Sequence, residues 1–447
     1  MSIDDMKFFL VREALKKSVG IFPYLNEEKV LKFVDSRIEP FSNLPARNFI
    51  NKFLRVSFDR LKKASPECRR GTLTSFFINA EIMGFLKSRS CKKKYGITAP
   101  FTILISPTMR CNLKCIGCYA AKYSKKEDLE FDVINRVIRE ANELGCYVIS
   151  VLGGEPFIRK DIFDIFKRNK ETYFQVFTNA TLIDEKLADE IAKIGRVYPC
   201  ISIDGLEEYT DIRRGKGTFK KIEKTMNLFK ERGIIFGYST MVTRENNEDV
   251  VSDEFIDFLV DKNCFMGWYF AYMPVGKNPD LSLMPTPEQR LYRLKRINAI
   301  RDKKNIIISD FWNDAPLVEG CIAAGKQFLH INNNGDVEPC IFVHFAVDNI
   351  KGKSLIDALF SPFFKEIRKR QPYNENFLMP CMVIDNPNVL REVVKESGAK
   401  PTHPEARLIL EDGMTVPIDE YASKFAHICA PAWTEYVAET KFKKMEV

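Results

Sequence analysis

A chain of 447 residues is long for one ordinary domain and short for four. Hydrophobic residues at 45% and charged residues at 29% give the balance of a globular protein and exclude disorder as its main theme. The net charge of +8 is local, because residues 51–100 carry twelve Lys and Arg against three Asp and Glu.

Residues 1–98 (the first expected domain) read as helical. Val11–Lys17 and Glu27–Val34 have helical spacing, with Pro23, Pro40 and Pro45 as punctuation. An apolar stretch from Phe76 to Leu86 runs into Lys87, Arg89, Lys92, Lys93 and Lys94. Such a helix can dock on an anionic membrane surface, bind nucleic acid, or pack on a neighbouring domain with its basic end in solvent. No aromatic residues are interleaved with the charges, which makes nucleic acid the weakest of the three.

From residue 99 to 280 strands alternate with amphipathic helices. The strands expected are Phe101–Ser106, Tyr147–Leu152, Phe174–Phe177, Cys200–Ile203, Ile235–Val242 and Phe265–Tyr272. Asp132–Leu144, Asp161–Asn169, Glu185–Ile194, Phe219–Arg232 and Asp253–Asp261 are the helices between them. This pattern predicts an α/β fold with a parallel sheet, either doubly wound or a partial barrel. Residues 281–315 read as a helix and linker, and 316–385 as a small α+β unit. In the tail (386–447), Glu396–Gly413 reads as loop and Ala422–Val437 as a helix.

Cys264–Gly276, the longest uncharged run near the middle, is shorter than the ~18 apolar residues a spanning helix needs. The opening Met1-Ser2-Ile3-Asp4-Asp5 is acidic where an export signal is basic. The expectation is a cytoplasmic protein, with peripheral contact at the inner membrane face as the membrane option. Twelve cysteines there read as thiols for metal or core rather than as disulfides. Cys146, Cys200 and Cys264 are expected in the core.

The first strand ends in Ser106-Pro-Thr-Met-Arg-Cys111-Asn-Leu-Lys-Cys115-Ile-Gly-Cys118-Tyr119. Three cysteines in one loop at the carboxyl end of a strand can hold three corners of a cubane iron–sulfur cluster and leave one iron open to a ligand. A thioredoxin-type dithiol at Cys115 and Cys118, a structural zinc site and a chance cluster of core cysteines are the competing readings. Asn112, Leu113 and Gly117 favour a loop over a core strand.

At these residues the sequence resembles the radical SAM superfamily, which carries this spacing followed by an aromatic residue, here Tyr119. The resemblance covers about residues 101–275 and implies a partial (β/α)6 TIM-like barrel holding a [4Fe–4S] cluster on Cys111, Cys115 and Cys118. Gly153-Gly154-Glu155-Pro156 matches the family's GGEP motif, implying contact with the amino group of S-adenosylmethionine. Ser202 and Arg214 are implied to bind the cofactor's ribose and carboxylate. Ala180 stands where relatives have glycine after Thr-Asn, a departure that affects a turn. The implied chemistry is reductive cleavage of S-adenosylmethionine to a 5′-deoxyadenosyl radical, fed by a low-potential donor of the flavodoxin or ferredoxin type.

Cys321 and Cys340, with an Asn-rich hairpin-like turn before Cys340, resemble the entry to SPASM and twitch auxiliary-cluster domains over about residues 320–382. Cys381 is a third ligand candidate. A fourth could be Cys429, another side chain or a substrate group, and a structural zinc is the alternative for this region. Relatives with such domains imply a peptide or protein substrate. A membrane-lipid acyl or prenyl chain is the alternative, supported by 35 phenylalanines and the Phe76–Lys94 segment. The second alternative is a non-enzymatic iron–sulfur or zinc protein binding nucleic acid through the basic 51–100 patch. The four histidines (330, 344, 403, 427) form no pair at metal-ligand spacing and read as surface or satisfied core. No catalytic acid or base stands out; Tyr272, Asp310, Asp314 and Glu338 read as structural.

Overall fold

The computed structural model describes residues 12–38 and 44–442. The acidic opening, Val11 of the first expected helix and Pro40 lie outside the described residues. Six apolar runs become strands β1 (Thr102–Ile105), β2 (Val148–Val151), β3 (Tyr173–Thr178), β4 (Val197–Ser202), β5 (Gly237–Val242) and β6 (Met266–Ala271). They pair parallel in sequence order. Every residue of β2 is buried, the pattern of a strand covered on both faces. Helix Phe131–Leu144 provides one cover, burying Ile134, Val137, Ile138 and Ala141 at three- and four-residue spacing.

The parallel run extends beyond these six at both edges. β7 (Ile307–Asp310) lies beside β6, and β8 (Phe328–Ile331) pairs parallel with β1, Leu104 opposite His330. The residues read as linker and auxiliary unit therefore lengthen the barrel sheet to eight parallel strands, and no β7–β8 pairing closes it among the described residues. β9 (Asp336–Glu338) returns antiparallel on β8, which makes the Asn332–Gly335 turn the expected hairpin. Three short strands follow: β10 (Phe345–Ala346), β11 (Asp348–Asn349) and β12 (Lys400–Pro401).

The N-terminal helices cap the amino ends of the strands. Phe76 packs against Tyr173 at 5.2 Å and Phe101 at 6.4 Å, and Phe53 against Phe265 at 5.6 Å. Ile78 and Met83 are buried with Tyr147 and Val148 at the start of β2. The Phe76–Lys94 segment thus turns most of its apolar side to the barrel, leaving Ile82 and Phe85 at 41% and 59% exposure. That is the neighbour-packing outcome of the three expected. No helix among the described residues is long and apolar enough to cross a membrane.

Glu396–Gly413, expected as loop, is largely structured. It holds the end of helix Pro387–Ser397, β12, the 3₁₀ turn Pro404–Leu410 and the start of helix Asp412–Phe442. Its glycine and proline are boundary residues: Gly398 caps a helix at φ +63°, and Pro404 opens the next turn.

Candidate functional site

β1 delivers the Cys111–Cys118 loop to the carboxyl edge of the sheet, and the loop after β2 lies directly on it. Gly154 N donates to Thr108 O at 2.9 Å and Glu155 N to Arg110 O at 2.8 Å. A Cβ on Gly153 would stand 2.2 Å from Thr108 O, and one on Gly154 2.1 Å from Arg110 O. Both glycines are therefore needed for loop-on-loop contact, a constraint that comes from the protein itself. Gly154→Ala is expected to push the Arg110 carbonyl away, costing roughly 1–3 kcal/mol. Iron analysis after reconstitution should then show less iron than wild type, the loss falling on the site in the Cys111–Cys118 loop.

Glu155 is fully buried, and Pro156 starts the short turn that follows it. Its Oε1 accepts from Phe157 N at 3.1 Å and Thr178 Oγ1 at 2.8 Å, and its Oε2 from Asn179 N at 2.7 Å. A carboxylate has about four acceptor positions, so one remains, on Oε2. Burial pushes the Glu155 carboxyl up to about 7, while its three donors work in the opposite direction. Asn179 bridges to Asn112 at 2.9 Å and reaches Cys111 Sγ at 3.7 Å. Ala180, the departure noted in the turn after Thr-Asn, is buried and holds φ +62°, a left-handed conformation that costs a non-glycine residue energy.

Asp204, fully buried after β4, accepts from Arg213 Nη1 and Arg214 Nε, each at 2.7 Å. The Arg214 bond to Asp204 is made through Nε alone. Arg213, which sequence reasoning passed over, shares the carboxylate and has a buried Nε without a partner. Both guanidinium groups oppose the rise that burial imposes on the Cys118 thiol. Ser202 Oγ lies 3.3 Å from Ser239 Oγ. The Tyr119 ring packs on Phe342 at 6.1 Å, and burial raises its phenol.

Behind this loop lies a polar chain that sequence spacing did not disclose. Ser106 Oγ is 2.7 Å from His330 Nε2, and His330 Nδ1 is 2.6 Å from Glu338 Oε2. Tyr123 OH donates to Glu338 Oε1 at 2.8 Å. Ser106, His330 and Glu338 are all fully buried. His344 Nδ1 and His403 Nε2 are 2.8 Å apart, and burial pushes His344 down to about 4, so one neutral ring donates to the other. His427 is exposed. Tyr272, Asp310 and Asp314 have structural partners as expected: the Asp280 amide, Arg293 and Arg301.

Cys321, Cys340 and Cys381 line one cavity of about 400 Å³ that lies by the β7 and β8 edges. Its apolar walls include Phe49, Trp268, Phe311, Trp312, Phe328 and Phe342. Burial raises all three thiols, Cys381 to about 12. Three thiols sharing an apolar wall, with no imidazole among them, fit a thiolate cluster whose binding would release their protons. Cys429 lies elsewhere, with Leu378, Met379 and Phe425, as a core cysteine.

The fold is thus a largely parallel α/β barrel with three cysteines in one loop at its carboxyl edge and three more lining a cavity beside its open seam. Residues 105–256 match the radical SAM superfamily, and residues 321–382 match an iron-sulfur cluster-binding domain, SPASM. An uncharacterized protein of Methanocaldococcus jannaschii is 30% identical over 250 residues, 53% of this chain and 84% of that one. Fe-coproporphyrin III synthase of Methanosarcina barkeri is 30% identical over 210 residues, 44% of this chain and about half, 51%, of the synthase. In fold, the chain is similar to Streptococcus suis SuiB bound to S-adenosylmethionine. There the TM-score is 0.56 at 22% identity, over 67% of this chain and 76% of that one. The chain belongs to the radical SAM superfamily, and its cofactors are iron–sulfur clusters and S-adenosylmethionine. The non-enzymatic alternative is thereby set aside.

Proposed function

We propose that this chain abstracts hydrogen from an unactivated carbon of its substrate, for oxidation or for C–C or C–S bond formation. When bound at Cys111, Cys115 and Cys118, the cluster supplies an electron and an open iron at which S-adenosylmethionine is cleaved. Around it, the remaining Oε2 position of Glu155 and the Gly153–Pro156 backbone receive the cofactor's amino group. Arg214 takes the carboxylate, Ser202 the ribose, and Tyr119 packs against the bound molecule. Cys321, Cys340 and Cys381 would hold the auxiliary cluster as thiolates. The observation that carries this reading is the pair of three-cysteine sites on one barrel.

The proposed substrate class is a peptide or protein with an apolar reacting side chain. It is supported by the apolar cavity beside the second triad and by the likeness in fold to SuiB, which has also been solved with its precursor peptide SuiA. The cavity gives specific support to a second reading, an acyl or prenyl chain. A tetrapyrrole carrying several carboxylates, suggested by the synthase relative, fits less well, since no Lys, Arg or His lines the cavity. The test is anaerobic: reconstituted protein, S-adenosylmethionine and reductant are given deuterium-labelled peptide or polar-lipid fractions, and deuterium in 5′-deoxyadenosine is read by mass spectrometry. Label from lipid alone would replace the peptide reading, and no 5′-deoxyadenosine from a fully loaded protein would end both.

The amino-group role of Glu155 has a pH signature. An ammonium needs the ionised carboxylate, which is lost as pH falls through about 7. Below that point S-adenosylmethionine affinity should drop about tenfold per pH unit. Glu155→Gln should flatten the profile, as measured by equilibrium dialysis.

A further inference from the structure

We propose that the exposed patch around Ile116 and Ile212 is the docking surface for a small acidic one-electron carrier. This rests on the reading of Cys111, Cys115 and Cys118 as the site that must be reduced. Ile116 sits between two of these cysteines and is 51% exposed, whereas the three thiols themselves are only partly so. Its neighbour Gly117 turns inward, and a Cβ there would meet the Tyr272 ring at 2.7 Å. The loop therefore shows solvent an isoleucine at its cluster-holding turn. Ile116 N donates to Arg213 O at 3.0 Å, which brings the end of helix Glu207–Arg214 alongside, and there Ile212 is 63% exposed.

Two cations without ion-pair partners among the described residues, Lys114 and Lys216, flank these side chains in sequence, and both are exposed. Lys216 stands between Gly215 and Gly217, both with open space where a Cβ would be. The nearest carboxylate on the helix, Asp211, is taken up by the amides of Gly217 and Phe219. Glu207, paired with Lys220, and Glu208 lie at the helix's other end. An apolar centre with a basic rim suits a partner with an acidic rim, which long-range attraction brings in quickly. The larger basic cluster, Lys92–Lys94, ends a helix packed at the start of β2, at the opposite end of the barrel. In the step proposed, the reduced flavodoxin or ferredoxin gives up one electron and the cluster gains it, with no atom transferred.

Stopped-flow bleaching of the reconstituted enzyme tests this, with reduced flavodoxin and acidic ferredoxin as donors. Photoreduced deazaflavin serves as a small reductant that needs no docking surface. The wild-type rate with either carrier should fall steeply with salt. I212E/K216E should slow carrier reduction at least tenfold at low salt and leave deazaflavin reduction unchanged, while K92E/K93E should change neither. An unchanged carrier rate in I212E/K216E, or slowing in K92E/K93E instead, would overturn the proposal. Should the double variant also lose reduction by deazaflavin, Lys216→Glu alone decides, and an unchanged carrier rate there overturns it too. A wild-type cluster that deazaflavin cannot reduce would remove the underlying reading.

Discussion

Alanine at Cys118 is expected to abolish S-adenosylmethionine cleavage while leaving a folded chain with about half its iron. Two thiolates cannot retain a cluster that three already hold incompletely, and the next cysteine along the chain, Cys146, is buried beside Phe101 at the amino end of the sheet, away from the loop. Cys381→Ala should remove the other half of the iron. Uncoupled cleavage to 5′-deoxyadenosine should persist there, because its wall lies by the β7 and β8 edges and not in the β1 loop. Both variants should fold, since burial already keeps these thiols neutral without metal and the substitution strands no charge. Iron and sulfide analysis with product chromatography separates the two sites. Equal loss of cleavage from both variants would mean that the triads act as one unit.

The barrel was legible because its strands are apolar runs followed by helices with a clear apolar stripe, and two helices, Glu185–Ile194 and Asp253–Asp261, fall where the periodicity puts them. β7 was not, because four residues after a long charged helix read as linker. β8 was missed for another reason. Its partner β1 lies more than two hundred residues earlier, and pairing at that distance leaves no local pattern. The same holds at the site. Closely spaced cysteines and glycines announce themselves, whereas Ser106, His330 and Glu338 meet only because β1, β8 and β9 are neighbours. His344 and His403, separated by β11 and three helices, join through the β10–β12 pairing. The glycines of the GGEP motif were found for the cofactor, yet their first constraint is the carbonyl edge of the cysteine loop.

Arg290→Met is expected to cost roughly 3–5 kcal/mol, because it leaves a buried carboxylate alone. Arg290 is 1% exposed, bonds Asp385 at 2.5 Å and Leu378 O at 2.7 Å, and stacks over Phe425 at 3.9 Å. Asp385 also clamps Cys381, the third ligand proposed for the auxiliary cluster: its Oδ2 accepts from Cys381 N at 3.0 Å, and its own N–H donates to Cys381 O at 3.1 Å. Stability and cluster retention can therefore be pulled apart. An R290M/D385L double variant removes both charges, and a buried pair replaced by apolar groups regains most of the loss. The denaturant midpoint of the metal-free double variant should return close to wild type. Its auxiliary iron should not, because leucine cannot accept from the Cys381 amide. If the iron returns together with the midpoint, Asp385 acts on Cys381 only through the stability of the fold.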